Sequence, residues 1–263
     1  MKDKISEITN YMREHTDREI SVEELADRFG YSKFHFSREF KKLIGVTPNE
    51  YWGALKMERS LVELSRSSSI LQGQLNTGYQ STGTFSSAFL KSTGFTPGQY
   101  QEEMKKLSLY KATKEFEQKE KSVITHYAFN KRNPATVQNK KLFVTCHMPE
   151  GFKGIIFVGL FLKPFSSQVP ILGKALLKTN QCIIDRIPNG DYYPMACSIR
   201  SSMNPFSYFH LDKQLRDLHR TPLRFPLETD TEISFTLREI LPTDPAISFS
   251  PIKLLINALK RKK

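Results

Sequence analysis

Between residues 20 and 66, apolar side chains recur every three or four positions, the period of a helix with one buried face. Val22, Leu25, Ala26 and Phe29 share one face of a short first segment. Phe36, Phe40 and Leu43 share one face of the next. Trp52, Leu55, Leu61, Val62 and Leu64 mark a longer third. Cap residues punctuate the segments. Ser21-Val22-Glu23-Glu24 reads as a capping box, in which the serine hydroxyl and Glu24 satisfy each other's orphan backbone N–H groups. Gly30 is placed to end the first helix in the left-handed conformation, and Ser32 to cap the second. Gly45 ends that one, and Thr47-Pro48-Asn49-Glu50 starts the third as a second box with proline at the permissive first position. The third helix runs on to the serine-rich stretch at Arg66–Ser69.

The same pattern occurs twice. GYSKFHFSREFKKLIGVTPNEYW begins at Gly30 and GYQSTGTFSSAFLKSTGFTPGQYQ at Gly78. With Gln80 as one inserted residue, Ser32, Phe36, Phe40, Gly45, Thr47, Pro48 and Tyr51 align with Ser81, Phe85, Phe89, Gly94, Thr96, Pro97 and Tyr100. Caps, turns and core aromatics are preserved together, which identifies a duplication. Two short helices joined by a tight glycine turn form a helix-turn-helix. The helix between the copies is a spacer of roughly 30 Å at about 1.5 Å per residue. That approaches one turn of B-DNA, about 34 Å, so two recognition helices could enter successive major-groove segments.

Beyond the repeat the texture changes. Residues 104–122 are dense in charge and poor in apolar periodicity, and read as a helical tail running into a linker. From about residue 123, short runs rich in β-branched and aromatic residues alternate with Gly, Pro and Asn. Strands are predicted at 141–147, 154–162, 169–177, 182–187, 191–199 and 231–240, and helices near Tyr208–His219 and Pro251–Lys260. The predicted fold class is therefore multi-domain α and β. An all-α tandem helix-turn-helix domain (1–105) and a charged tail and linker (106–135) precede a mainly-β sandwich with appended helices (136–263).

The net charge of +12 suggests nucleic acid until its distribution is examined. Residues 1–107 hold 15 Lys and Arg against 14 Asp and Glu, a net of +1, and the excess sits in the second half. Pattern, not overall charge, points to DNA. Three widely spaced cysteines (Cys146, Cys182, Cys197), an odd number in no CxxC pair, argue against a disulfide framework and for a reducing cytoplasm. Neither a secretory leader nor a membrane-length apolar run is read from the sequence. Cys146 and His147 are neighbours on a predicted strand and so point to opposite faces, which argues against a shared metal or a thiolate–imidazole pair. No HExxH, GxSxG or phosphate-cradling loop is present, and no catalytic residue, metal or cofactor is predicted.

The LA…GYS…F…FK…G.TP..Y pattern, its second copy and the connecting helix resemble the AraC/XylS-type regulators over about residues 3–103. The resemblance implies a seven-helix bipartite domain on double-stranded DNA that usually activates transcription by bringing RNA polymerase to a promoter. It implies that Ser32, Lys33, Phe34, Ser37, Arg38 and Lys41 form the DNA face of the first motif. Arg38 is the leading base reader, because guanidinium can pair bidentately with guanine O6 and N7. Phe34 suits thymine methyls, and Lys33 and Lys41 suit phosphates. The second motif departs from the pattern. It offers Gln80, Thr82, Ser86 and Ser87 with Gly83 among them, and carries Gly73 and Gln74 where the family has an apolar residue and alanine. Weak reading, backbone contact and a packing role all stay open for it.

In the second half, the strand pattern around Pro188-Asn189-Gly190 and Tyr192-Tyr193 resembles carboxypeptidase-regulatory or transthyretin-like sandwiches. There the turn would be tight and one tyrosine would bond to backbone. Two functions follow. One is a sequence-specific transcription regulator, an activator by resemblance, whose sandwich senses a small-molecule effector or mediates assembly such as a homodimer. The other is a partner- or carbohydrate-binding module attached to a degenerate DNA-binding half.

Overall fold

The computed structural model describes residues 1–66, 69–79, 81–106, 111, 114, 118, 123–127, 140–164, 170–202 and 214–244. They divide into two compact units. The first holds residues 1–102 together with 241–244 of the later chain, and the second most of the rest.

After a single 3-10 turn at Lys2–Lys4, the helical unit contains α1 (Ile5–Glu14), α2 (Val22–Arg28), α3 (Lys33–Ile44), α4 (Pro48–Arg66), α5 (Ile70–Leu75), α6 (Thr82–Thr93) and α7 (Pro97–Lys105). The predicted caps form. Ser21 Oγ accepts from Glu24 N at 3.1 Å while Glu24 Oε2 accepts from Ser21 N at 2.7 Å. Ser32 and Ser81 cap α3 and α6, and Gly45 (φ 91°) and Gly94 (φ 76°) end them. The Thr47–Glu50 box is matched by Thr96–Gln99. Ile8, Met12, Leu25, Ala26, Phe29, Phe36, Phe40, Tyr51 and Trp52 make one core cluster. Ile44, rather than the half-buried Leu43, completes the buried stripe of α3.

In the β-rich unit, β1 (Val123–Tyr127), β4 (Leu172–Leu176), β3 (Gly154–Phe161), β6 (Gly190–Arg200) and β7 (Arg216–Leu218) follow one another in a sheet. A sixth strand, β8 (Leu223–Phe225), also pairs with β6. The second sheet is β5 (Gln181–Ile184), β2 (Leu142–His147) and β9 (Thr231–Thr236), with β5 antiparallel and β9 parallel to β2. Side chains from both sheets, including Leu142, Val144, Val158, Leu160, Leu172, Ile184, Tyr192 and Phe235, share one core. β3 is buried along nearly its whole length, whereas β2 alternates, which follows from their central and half-solvated positions.

The structure corrects three readings. Val123–Tyr127, assigned to the linker, is a strand paired with β4, as its β-branched run VITHY favours. The described end of the helix expected over Tyr208–His219 is strand β7. There Met195, Ala196 and Cys197 pair with Leu218, Asp217 and Arg216, so sheet pairing overrides a short ambiguous apolar pattern. β8 lay in no predicted element. The expected helix at Pro251–Lys260 and most of the charged tail lie outside the described residues. Tyr192, not Tyr193, is the tyrosine that bonds to the turn, donating to Asn189 O at 3.2 Å beside Gly190.

Candidate nucleic-acid interface

The chemistry of α3 starts from what its buried side fixes. Phe36 and Phe40 are fully buried, with ring centroids 5.8 Å apart, and Phe40 meets Tyr51 at 5.6 Å in an edge arrangement. Helical periodicity then presents the intervening residues outward. Phe34 is 85% exposed, far beyond what an aromatic ring serves by packing. The Arg38 side chain is 76% exposed and lies 3.7 Å from Glu39 Oε1. Ser32, Lys33 and Lys41 are exposed and Ser37 is half-buried; helical spacing puts Lys33, Phe34, Ser37, Arg38 and Lys41 on one outer side, with the N-cap Ser32 at its end. Lys33 Nζ donates to Glu23 Oε2 of α2 at 3.1 Å. Exposed pairs of this kind contribute about 0–1 kcal/mol, so exchanging them for phosphate costs little. His35 stacks on Tyr31 at 5.5 Å and steadies the helix start.

α6 repeats the scaffold and changes the face. Phe85, Phe89 and Tyr100 meet at 5.6 Å (tilted) and 5.4 Å (edge-on), at the same positions as the rings of the first copy. Outside, Thr82, Gly83, Ser86, Ser87 and Leu90 stand where α3 has Lys33, Phe34, Ser37, Arg38 and Lys41. Thr82 and Ser87 are exposed, Ser86 is half-buried, and Gln80 lies outside the described residues. Leu90, 46% exposed, completes this face at a place set by its position seven residues after Gly83. The face is small and hydroxylated, with an apolar end. Upstream, Gln74 fills the buried place that Ala26 takes in the first copy. Its amide donates to Tyr79 O at 3.3 Å, and its Oε1 is buried without a hydrogen-bond partner.

A junction inside the helical unit ties the second motif to α4. Lys56, 7% exposed, donates from Nζ to Gly78 O at 3.1 Å, and burial lowers its pKa. Gly78 has φ +64°, and a Cβ there would lie 3.0 Å from Asp17 O. Arg59 Nη1 reaches Thr16 Oγ1 at 2.9 Å beside it. The turn of the second motif is thus held by the α1–α2 connection and the spacer helix together.

The β-rich unit offers different chemistry. Cys146, Cys182 and Cys197 are buried, and desolvation pushes their thiols up to about 12, 11 and 12. Such thiols stay protonated and are poor nucleophiles. His147 faces outward, away from Cys146. Among the described residues no group of three or more His, Cys, Asp or Glu is placed to hold a metal ion. No described helix is long and apolar enough to cross a membrane.

Comparison with known proteins bears on the helical unit. Residues 25–103 match a family model described as a helix-turn-helix domain. The MmsAB operon regulatory protein of Pseudomonas aeruginosa is 35% identical over 97 residues, which is 36% of this chain and 31% of that protein. An uncharacterized HTH-type transcriptional regulator of Staphylococcus aureus (strain COL) is 27% identical over 99 residues, 37% of this chain and 13% of the relative. The matched region is thus a minor part of the curated relatives. A Chromobacterium violaceum transcriptional regulator described as AraC-type aligns with TM-score 0.36 and 27% identity, covering 38% of this chain and 91% of that one. Residues 25–103 are therefore similar to known helix-turn-helix domains.

Proposed function

We propose that this chain is a sequence-specific regulator of transcription that binds double-stranded DNA chiefly through α3. The carrying observation is the outer face of that helix, where Phe34, Arg38 and Lys41 stand exposed over a fixed aromatic base. Arg38 reads a base edge, Phe34 meets thymine methyls, and Ser32, Lys33, Ser37 and Lys41 hold the backbone. α6, with Thr82, Ser86 and Ser87, adds weaker contacts that help keep the protein on the duplex. The resemblance to AraC/XylS-type proteins supports activation together with RNA polymerase. Anisotropy titration of the intact protein on selected DNA tests the assignment. Binding that stays equally tight on scrambled sequence at moderate salt would overturn it.

The β-rich unit takes the effector-sensing or assembly role in this reading. The outer face of its three-stranded sheet forms an open depression lined by Phe143, Thr145, His147, Gln181, Ile183 and Glu232 among others. The same surface favours the second reading, a binding module in its own right. Ligands that raise the thermal midpoint of the β-rich unit without altering DNA affinity would favour that alternative.

A further inference from the structure

Residues 241–244 belong to the helical unit although they follow the last strand of the other. They form a turn in which Asp244 N donates to Leu241 O at 3.0 Å and Leu241 N to Asp244 Oδ2 at 2.8 Å. Asp244 is fully buried. The donors that receive this turn come from α1 and α4. Tyr51 Oη donates to Pro242 O at 2.8 Å and reaches Asp244 O at 3.3 Å. Arg13 donates from Nη2 to Asp244 O at 2.6 Å and from Nε to Pro242 O at 3.3 Å. Its Nη1 lies 3.4 Å from Glu58 Oε2, which holds the guanidinium in place.

These donors recognise main-chain carbonyls, so they select the path of the chain and not particular side chains. Tyr51 is also the base of the aromatic stack that backs α3, through Phe40 and then Phe36. On the other side the strap is short. Leu237 is buried in the β core and donates its N–H to His147 O at 3.0 Å, and Arg238 bridges to Arg216. Only Glu239 and Ile240 separate that anchored point from the strap.

We propose that the donors of α1 and α4 that hold residues 241–244, Arg13 and Tyr51, make this strap couple the folding of β9 to the support of the recognition helix. Loosening the β-rich unit slackens the strap and withdraws the carbonyls from Tyr51 and Arg13. On the function proposed above, an effector bound to the β-rich unit would act on DNA reading by this route.

The chain has a single tryptophan, Trp52, and it lies in the core of the helical unit, so its fluorescence follows that unit alone. In the full-length protein, Phe235→Leu weakens the β core. It is expected to lower the Trp52-monitored midpoint by about 4 °C or more. In a Tyr51→Phe, Arg13→Met background the same Phe235→Leu change is expected to leave that midpoint unmoved. Hydrogen exchange at β2 and β9 checks that Phe235→Leu has loosened the β unit in both backgrounds. A Trp52 midpoint indifferent to Phe235→Leu, or shifted equally in both backgrounds, would overturn the coupling. Should the double variant not fold, Tyr51→Phe alone keeps the ring stack. It should speed exchange of the Asp244 amide about tenfold, whereas Tyr100→Phe leaves it unchanged. Equal exchange in the wild type and Tyr51→Phe would overturn the docking. None of these readouts uses DNA, so the strap can fail while DNA reading stands, and the reverse.

Discussion

Two phenylalanines two positions apart state the logic of the first motif. Phe36 is fully buried and Phe34 is 85% exposed, so one ring holds the helix and the other faces outward. Phe36→Ala should cost about 3–5 kcal/mol in chemical denaturation, the range for deleting a buried ring. Phe34→Ala should leave stability within about 0.5 kcal/mol, as surface changes do, and weaken DNA binding. Arg38→Ala should cost about 1–3 kcal/mol of binding and relax preference at one base position, and Ser87→Ala far less. Equal losses from Arg38→Ala and Ser87→Ala in matched titrations would remove the asymmetry between the motifs. These positions were legible in the sequence because buried phenylalanines four apart fix which residues face out. The roles of Arg13 and Tyr51 toward residues 241–244 were not, because carbonyl partners 191 to 231 positions away leave no periodic trace.

The duplication is a duplication of helix ends and cores. Offset, caps and aromatic contacts agree between copies, which is why α2, α3, α4, α6 and α7 could be read from spacing, whereas α5 could not. Two glycines separate local from tertiary demands. Gly83 sits inside α6 with open space where a Cβ would go, so Gly83→Ala should raise stability by about 0.5–1 kcal/mol. Gly78 has positive φ and the Asp17 carbonyl against it, so Gly78→Ala should lower stability in the same thermal melts. At the start of α2, bonds from the Ser21 backbone N–H and hydroxyl hold the Glu24 carboxyl below its ordinary value of 4.5. A lowered folded-state pKa adds stability above the unfolded value, lost as pH falls through the folded one. Protection of the α2 amides, relative to their intrinsic exchange rates, should therefore fall as the pH drops below the ordinary glutamate value of 4.5, and less so in Glu24→Gln. Strands were less legible than helices. β1, β7 and β8 are short and are defined by partners on β4 and β6, so local pattern underdetermined them.

For the whole molecule, charge and motif pattern separate. The segment carrying both motifs is close to neutral, while most of the +12 lies in the second half, so overall basicity does not point to the proposed reading elements. Two compact units were expected from the change of texture near residue 123. The return of 241–244 to the helical unit was not, because a turn of main-chain carbonyls has no distinctive composition. The central claim is that α3 reads DNA sequence, and selection from a random DNA pool with the intact protein tests it most directly. A defined motif should be enriched at moderate salt, and Arg38→Ala should lose the information at one base position while keeping the rest. Enrichment of no motif by the folded protein, or an unchanged motif with Arg38→Ala, would contradict the account.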